Sequence, residues 1–456
     1  MTYNPFVYII AFANIVAMIH LGLFVIGANL YDMKQFKKAQ QHAKPRRGPK
    51  RKRWPMVSVV VPAHNEELVI ERTINSILAS SYEKFEIIII DDNSKDKTPA
   101  VVRNFIKKHP QLRAKSYIAR YDWSSKSTRR YIRGQIGKHR LLFVSQKRGG
   151  KGEGMNNAIA NHVRGELVMC LDADTMLHPE AIARAVRYFD DRKVIGVAAN
   201  VRIMSRNHLL TIVQQFEHMI GYRAKKFYNM INGEFVIGGV ASTYRTSVLK
   251  RYGGYDTDTI TEDIGLSLKL IAKQGNRNRR VIYASDVVAM TEAVQTFHAL
   301  LRQRYRWKMG NLQNIYKYRQ LVANSNHKKY SLGLTMYRLP MAIFSEAMLI
   351  IQPLIILYII FLCIHYQAYG IIFGAYFTLT LYVLWTIWPD EHLNLRQKLR
   401  MSSLSFVMYG LFYVMDVVQL YAAFSCILER RRITQRDIKT SWASPMRSGQ
   451  AANFSA

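Results

Sequence analysis

The sequence predicts an α/β domain on a largely parallel sheet, held between membrane helices at the two ends of the chain. Three observations predict it. Apolar residues make up 49 % of the 456 residues but gather at the ends. In the middle, β-branched runs alternate with helical periods, and acidic residues recur where those runs stop. Setting the spans aside leaves roughly 250–300 residues, enough for one well-buried core.

At the N-terminus, Phe6 to Leu30 (FVYIIAFANIVAMIHLGLFVIGANL) is almost uncharged, long enough for one helix across a ~30 Å hydrocarbon layer. The charges follow this run rather than precede it, which argues for an anchor over a cleaved leader. From Met33 to Asn65 there is no acidic residue, and Lys44, Arg46, Arg47, Lys50, Arg51, Lys52 and Arg53 crowd the stretch after the run. A basic cluster beside a span is the positive-inside signal and an anionic-lipid contact. Residues 1–32 are therefore expected as a transmembrane helix and 33–54 as a basic juxtamembrane linker.

The middle opens with strand-like runs at Met56–Val61 and Glu86–Ile90. Between them Leu68, Ile70, Ile74, Ile77 and Leu78 keep a helical spacing. Strand–helix–strand reads as a βαβ unit, hence a parallel sheet with helices outside. Leu141–Val144, Leu167–Leu171 and Gly196–Ala199 supply further strands, and Pro179–Phe189 a helix. Residues 111–140, rich in Lys, Arg and Ser with Asp122 the one acid, read as a basic insertion, partly helical or disordered, lying against anionic lipid.

Three more apolar segments follow, near Met341–Ile364, Gly370–Trp388 and Ser403–Leu428. Pro340 and Pro353 fall in the first, which a membrane helix tolerates where neighbours satisfy the freed carbonyls. Four spans raise a question of parity: with the middle domain in the cytoplasm, the basic tail 431–456 ends outside unless one segment fails to cross.

The formal charge is +34, from 65 Lys+Arg against 31 Asp+Glu. Such a balance implies nucleic acid, an anionic membrane surface or an anionic substrate. The spans favour the second reading, and no nucleic-acid fold motif supports the first. Cys170, Cys363 and Cys426 have neither metal-ligand spacing nor the density of a disulfide framework.

In an open parallel sheet, ligands bind at the carboxyl ends of the strands. IIIIDDNS puts Asp91 and Asp92 at one such end, and VMCLDADT puts Asp172 and Asp174 at another. Two carboxylates one residue apart can face one hard cation, Mg²⁺ or Mn²⁺, whose other sites are filled by water and phosphate. TEDIGLSLKL places Glu262 and Asp263 before a helical period, where a carboxylate can cap the helix or act as a base. LLRQRYRWKMG offers Arg304 and Arg306, whose guanidinium forks match phosphate, and Trp307, a flat face for a sugar ring. An interfacial helix with snorkelling arginines is the plainer reading of that segment.

The ordered series VSVVVPAHNEE, IIIIDDNS, KRGGKGEGMNNAI, CLDADT, TED and QRYRW, followed by spans, resembles the processive family 2 glycosyltransferases, which include poly-N-acetylglucosamine, chitin, cellulose and hyaluronan synthases. The resemblance covers about Pro55 to Tyr318, with a weaker match in the tail. It implies a GT-A (Rossmann-like) cytoplasmic domain at 55–300, with interfacial helices at 301–335 and about three spans at 336–430. It also implies a UDP-sugar donor bound with Mg²⁺ or Mn²⁺. By position, Ala63, Glu66 and Asp92 fall to the nucleoside and Lys151 to the far side of the base. Asp172 then stands by the nucleotide with Asp174 on the metal, Asp263 is the base beside Glu262, and Arg306 faces the diphosphate. Gln303, Arg304, Trp307 and the Gly238–Gly239 loop fall to the acceptor. Where the family commonly reads GKANALN this chain has GKGEGMN, putting Glu153 near the donor, and the insertion at 111–140 is a further departure.

The activity so implied is inverting, processive transfer of a sugar into an extracellular polysaccharide, at the cell membrane with the catalytic domain in the cytoplasm. The single leading span, the TED form of the base motif and the tail SWASPMRSG lean toward N-acetylglucosamine. The expected partners are the donor, the growing polysaccharide, a bilayer with anionic lipids and a small accessory membrane subunit, but no nucleic acid. A non-processive transferase that loads a lipid carrier would not need Trp307. A non-catalytic membrane scaffold would be expected to lack motif acids, and none is missing.

Overall fold

The computed structural model describes residues 5–43, 54–108, 115–120, 127–136, 139–204, 208–435 and 449. Its first helix, α1 (Pro5–Ala43), outlasts the apolar run by a dozen residues. The first part of the expected linker is thus helical, and 44–53 lies outside the described residues.

Strands β1 (Val57–Ala63) and β2 (Phe85–Asp91) are buried along their whole length. That is why both read as continuous apolar runs rather than alternating ones. Glu86 is the exception inside β2: it accepts from the Ser58 hydroxyl at 2.5 Å and is paired with Arg140, the condition under which a charge can be buried. Between these strands α2 (Ile70–Leu78) buries Ile70, Ile74 and Ile77. Leu68, expected on that apolar face, instead precedes the helix and is 63 % exposed. Helix α3 (Thr98–Lys107) follows β2.

The basic segment 111–140 is not helical where it is described. It forms β3 (Lys115–Arg120) and β4 (Ser127–Ile136), an antiparallel ribbon that extends the sheet through β5 (His139–Gln146). Then come α4 (Lys151–Asn157), β6 (Leu167–Cys170), the short β7 (Met176–Leu177), α5 (Ala181–Tyr188) and β8 (Val194–Ile203). Helix α6 (Leu209–Met230) leads to β9 (Ser242–Arg245), α7 (Thr246–Arg251), α8 (Glu262–Gln274) and β10 (Arg280–Thr291). The ten strands among the described residues make one sheet in the order β3-β4-β5-β2-β1-β6-β9-β8-β10-β7. Its central strands β5, β2, β1 and β6 are parallel, so their carboxyl ends form one rim.

Among the described residues four helices are long and apolar enough to cross a membrane: one within α1, then α10 (Leu339–His365) with the turn before it, α11 (Tyr369–Ile387) and the second half of α12 (Leu395–Leu428). Pro353 lies inside α10 without ending it. Between sheet and spans runs α9 (Phe297–Lys317), and α13 (Arg431–Thr434) follows the last span. The anchor is docked on the domain: the Tyr31 hydroxyl donates to the Tyr283 carbonyl at 3.0 Å, and Lys226 of α6 pairs with Asp32 at 2.5 Å.

Candidate active site

The rim of β1, β2, β5 and β6 is where the sequence places its acids, and each acid has a different occupation. Asp91 ends β2 and accepts from the Ser94 N–H at 3.2 Å and the Ser145 hydroxyl at 3.0 Å. Burial pushes its carboxyl up despite those bonds. It closes a turn.

Asp92 holds a loop. One oxygen accepts from Gln146 Nε2 at 3.0 Å and the Gly149 N–H at 2.8 Å, and the other from the Gly150 N–H at 2.8 Å. Gly150 has φ 88°, a left-handed value that glycine adopts without strain. The next residue is Lys151, so Asp92 and Gly150 together decide where that side chain starts. Ala63 and Glu66, also expected at the nucleoside, are buried at the end of β1 and just beyond it. The Ala63 carbonyl accepts from the Asp92 N–H at 2.9 Å, which ties the two rims together.

Lys151 does not stand apart from the acids. Its Nζ lies 2.6 Å from Asp172 Oδ1 and 3.6 Å from Glu262 Oε1. A Cβ added to Gly239 would overlap that ammonium and come within 3.5 Å of Asp263 Oδ2. Residues from four separate segments therefore meet at one point, and Gly239 leaves the space in which they meet. At Gly238 an added Cβ would touch nothing within 4 Å, so the two glycines are not equivalent.

The electrostatics of the cluster follow from its burial. Burial alone would lower the Lys151 ammonium, but Asp172 and then Glu262 outweigh it and hold the pKa well above its usual value. Glu262 is raised by burial, opposed by Lys151 and reinforced by the neighbouring Asp263. Both acids begin α8, where the positive end of the helix dipole favours negative charge. Thr261 occupies the cap position without capping: its side chain makes no cap bond. Asp263 Oδ1 accepts from the Ile264 N–H at 2.8 Å.

Asp172 is 28 % exposed to the cleft and Asp174 is buried, with Oδ1 accepting from the Thr175 hydroxyl at 3.2 Å. Among the described residues no three His, Cys, Asp or Glu side chains gather for a metal. A Mg²⁺ or Mn²⁺ held by one or two carboxylates and completed by substrate phosphate and water does not require three. Asp172 and Asp174 supply carboxylate oxygens of the type such an ion takes, with Asp172 Oδ1 engaged by Lys151.

The residues of α9 divide. Trp307 keeps 39 % of its surface exposed. Arg304, expected at the acceptor, is buried and bound to Glu217 of α6 by two bonds of 2.9 and 2.6 Å. Its guanidinium also lies 4.5 Å from the centre of the Trp307 ring, so it braces that ring. Gln303 Oε1 is buried with no hydrogen-bond partner among the described residues, and Arg306 is half-buried on the same helix. Glu217 carried no motif signal. The pairing of its carboxylate with an arginine far along the chain becomes visible only once α6 and α9 are packed together.

Comparison with known proteins agrees with this fold. The family model described as "Glycosyl transferase family 2" matches residues 58–116, and "Glycosyltransferase like family 2" matches residues 116–310. A poly-β-1,6-N-acetyl-D-glucosamine synthase of Staphylococcus aureus (strain COL) is 28 % identical over 285 residues, 62 % of this chain and 60 % of the relative. The synthase of the same name from Staphylococcus epidermidis is 28 % identical over 287 residues with the same coverage. The match thus spans about 60 % of the length of these relatives. A solved mannosyltransferase from Pyrobaculum calidifontis, in complex with GDP-Man and Mn²⁺, shares the fold with a TM-score of 0.50 at 20 % identity, over 92 % of this chain and 99 % of that one. The sheet order, the acidic rim and the two matched models together place this chain in glycosyltransferase family 2.

Proposed function

We propose that this chain transfers a sugar, best matched by N-acetylglucosamine, from a UDP donor to the end of a growing polysaccharide, inverting the anomeric carbon at each step. The observation that carries the reading is the convergence of Lys151, Asp172, Glu262 and the Gly239 backbone beside the Asp263 carboxylate. A positive group for a leaving diphosphate and a carboxylate for an incoming hydroxyl are what displacement at an anomeric carbon needs. The product named in the staphylococcal relatives supports the choice of sugar.

The acceptor sugar stacks on Trp307, and its hydroxyl faces Asp263. As that oxygen bonds to the anomeric carbon, its proton passes to Asp263, and the bond from carbon to diphosphate oxygen breaks with the electron pair leaving on UDP. Lys151 turns from the carboxylates toward the diphosphate, with Arg306 approaching from α9. A divalent cation held by Asp172 and Asp174 would neutralise further charge on the leaving group. Ala63, Glu66 and Asp92, all buried, shape the nucleoside end of the cleft from beneath. The four helices among the described residues that are long and apolar enough to cross a membrane suit a product that leaves through the bilayer, with the domain on the cytoplasmic side next to its basic flank.

The experiment is release of nucleoside diphosphate, UDP or GDP according to the donor, by detergent-purified protein from a panel of UDP- and GDP-sugars with Mg²⁺ or Mn²⁺. Release that favours UDP-N-acetylglucosamine, needs acceptor and stops with chelator supports the reading. Preference for a GDP-sugar, or for another UDP-sugar, overturns the donor assignment.

A further inference from the structure

Resting on the transferase reading above, we infer that Asn314 and Gln313 are positioning residues that set the place of the Asp263 carboxylate relative to the Trp307 platform. Asn314 is fully buried in α9. Its amide nitrogen donates to the Thr261 carbonyl at 2.9 Å, the Thr261 hydroxyl at 3.0 Å and the Gly310 carbonyl at 2.9 Å. Thr261 is the residue from which Glu262 and Asp263 project, and the Asn314 bond takes the hydroxyl that would otherwise cap α8. Gln313 holds the residue before it: its Oε1 accepts from the Ile260 N–H at 3.0 Å, while Nε2 donates to the Arg432 carbonyl at 2.9 Å.

Glycines on both helices make this approach close. A Cβ on Gly310 would overlap the Thr261 side chain, and one on Gly265 would stand 2.8 Å from Asn314 Oδ1. Further back along the loop, Lys317 binds Asp256 at 2.6 Å and Asp258 at 2.7 Å, and the Tyr318 hydroxyl donates to Asp256 at 2.6 Å. The segment 256–261 is therefore held from start to end by the last turns of α9 and the residue after it.

The same helix carries the platform. Trp307, Gly310 and Asn314 are spaced i, i+3, i+7, one stripe of a helix, and seven residues of α-helix span about 10 Å. The N-terminal turns of α9 are in turn fixed to α6 through Arg304–Glu217 and to α10 through Lys308–Glu346 at 2.5 Å. A rigid helix thus spans the gap between where an acceptor ring lies and where its proton is taken. Misplacement by about 1 Å costs roughly a hundredfold in rate, so the Asn314 contact acts on the chemical step and not on donor binding.

The test compares Asn314→Asp, which keeps the shape but cannot donate, with Asn314→Ala. The readouts are kcat, donor KM, UDP affinity and the ratio of sugar transferred to sugar lost to water. Both variants are expected to lose roughly tenfold to a hundredfold in kcat, with donor KM and UDP affinity within about twofold of wild type and a lower transfer-to-hydrolysis ratio. Wild-type kcat in Asn314→Asp overturns the proposal, as does a parallel loss of kcat, UDP affinity and melting temperature. Should both variants fail to fold, Thr261→Ser against Thr261→Val decides: the first keeps the hydroxyl acceptor and is expected to keep kcat, the second to lose it, and equal kcat overturns the proposal. A wild-type protein that transfers from no sugar nucleotide counts against the transferase reading instead.

Discussion

Lys151 Nζ stands 2.6 Å from Asp172 and 3.6 Å from Glu262, so one ammonium joins the acid after β6 to the acids that begin α8. The resemblance to family 2 synthases puts Lys151 at the far side of the base. In the structure its ammonium stands between the carboxylates, beside the Gly239 backbone.

Replacing Lys151 by Met leaves Asp172 and Glu262 facing one another without their cation. Donor turnover is expected to fall at least a hundredfold in kcat/KM, about 2.7 kcal/mol of transition-state stabilisation. UDP affinity, measured calorimetrically, is expected to weaken as well. Full activity in Lys151→Met would remove the lysine from the reaction.

The two glycines of the 238–239 loop give a paired test. Gly239→Ala pushes a methyl group onto the Lys151 ammonium, whereas Gly238→Ala meets open space. The first is expected to lose most transfer activity while keeping its melting temperature, and the second to stay within about twofold of wild type, as surface changes usually do. Equal behaviour of the two would contradict the geometry.

Trp307 separates a polymerase from an enzyme that adds one sugar. Trp307→Ala is expected to abolish long product while donor hydrolysis continues, and Trp307→Phe to keep part of the chain length, because stacking survives on a smaller ring. Product sizing by gel filtration reads the difference.

Arg304 and Glu217 predict a stability effect. Arg304→Met leaves the half-buried Glu217 carboxylate without its two bonds, which costs about 1–3 kcal/mol. The double change Arg304→Met/Glu217→Leu is expected to recover much of that loss in thermal melting. Additive losses would show that the pair does not hold α6 to α9.

Glu262 supplies the pH prediction. Its carboxyl is raised by burial, opposed by Lys151, so its contribution to stability is present below the ordinary glutamate value and is lost as pH rises through the raised one. Glu262→Gln is therefore expected to gain melting temperature relative to wild type on going from pH 4 to pH 7. A constant difference across that range would contradict the raised value.

Much of this was legible in the sequence because strands buried on both faces advertise themselves. VSVVVPA and FEIIIID could hardly be anything else, and the acids after them mark the rim of the sheet. The spans were legible for the same reason, being longer than any core helix of that composition. The ribbon β3–β4 was not: its Lys and Arg content hid a strand pair behind a charge pattern that reads as disorder. Nor was α6, where the Gln, Glu, His and Lys scattered among its apolar residues dilute the helical period. The Arg304–Glu217 pair was not legible because a motif gives a residue's type and place, while the Glu217 partner lies 87 positions away.

The most direct measurement follows label from UDP-N-acetylglucosamine into membranes carrying the protein, beside membranes carrying Asp263→Asn, with the product sized and digested by a linkage-specific hydrolase. The account predicts a high-molecular-weight, hydrolase-sensitive product with the wild type and none with the variant. Label confined to a small lipid-extractable product, or polymer made equally well by Asp263→Asn, would contradict it.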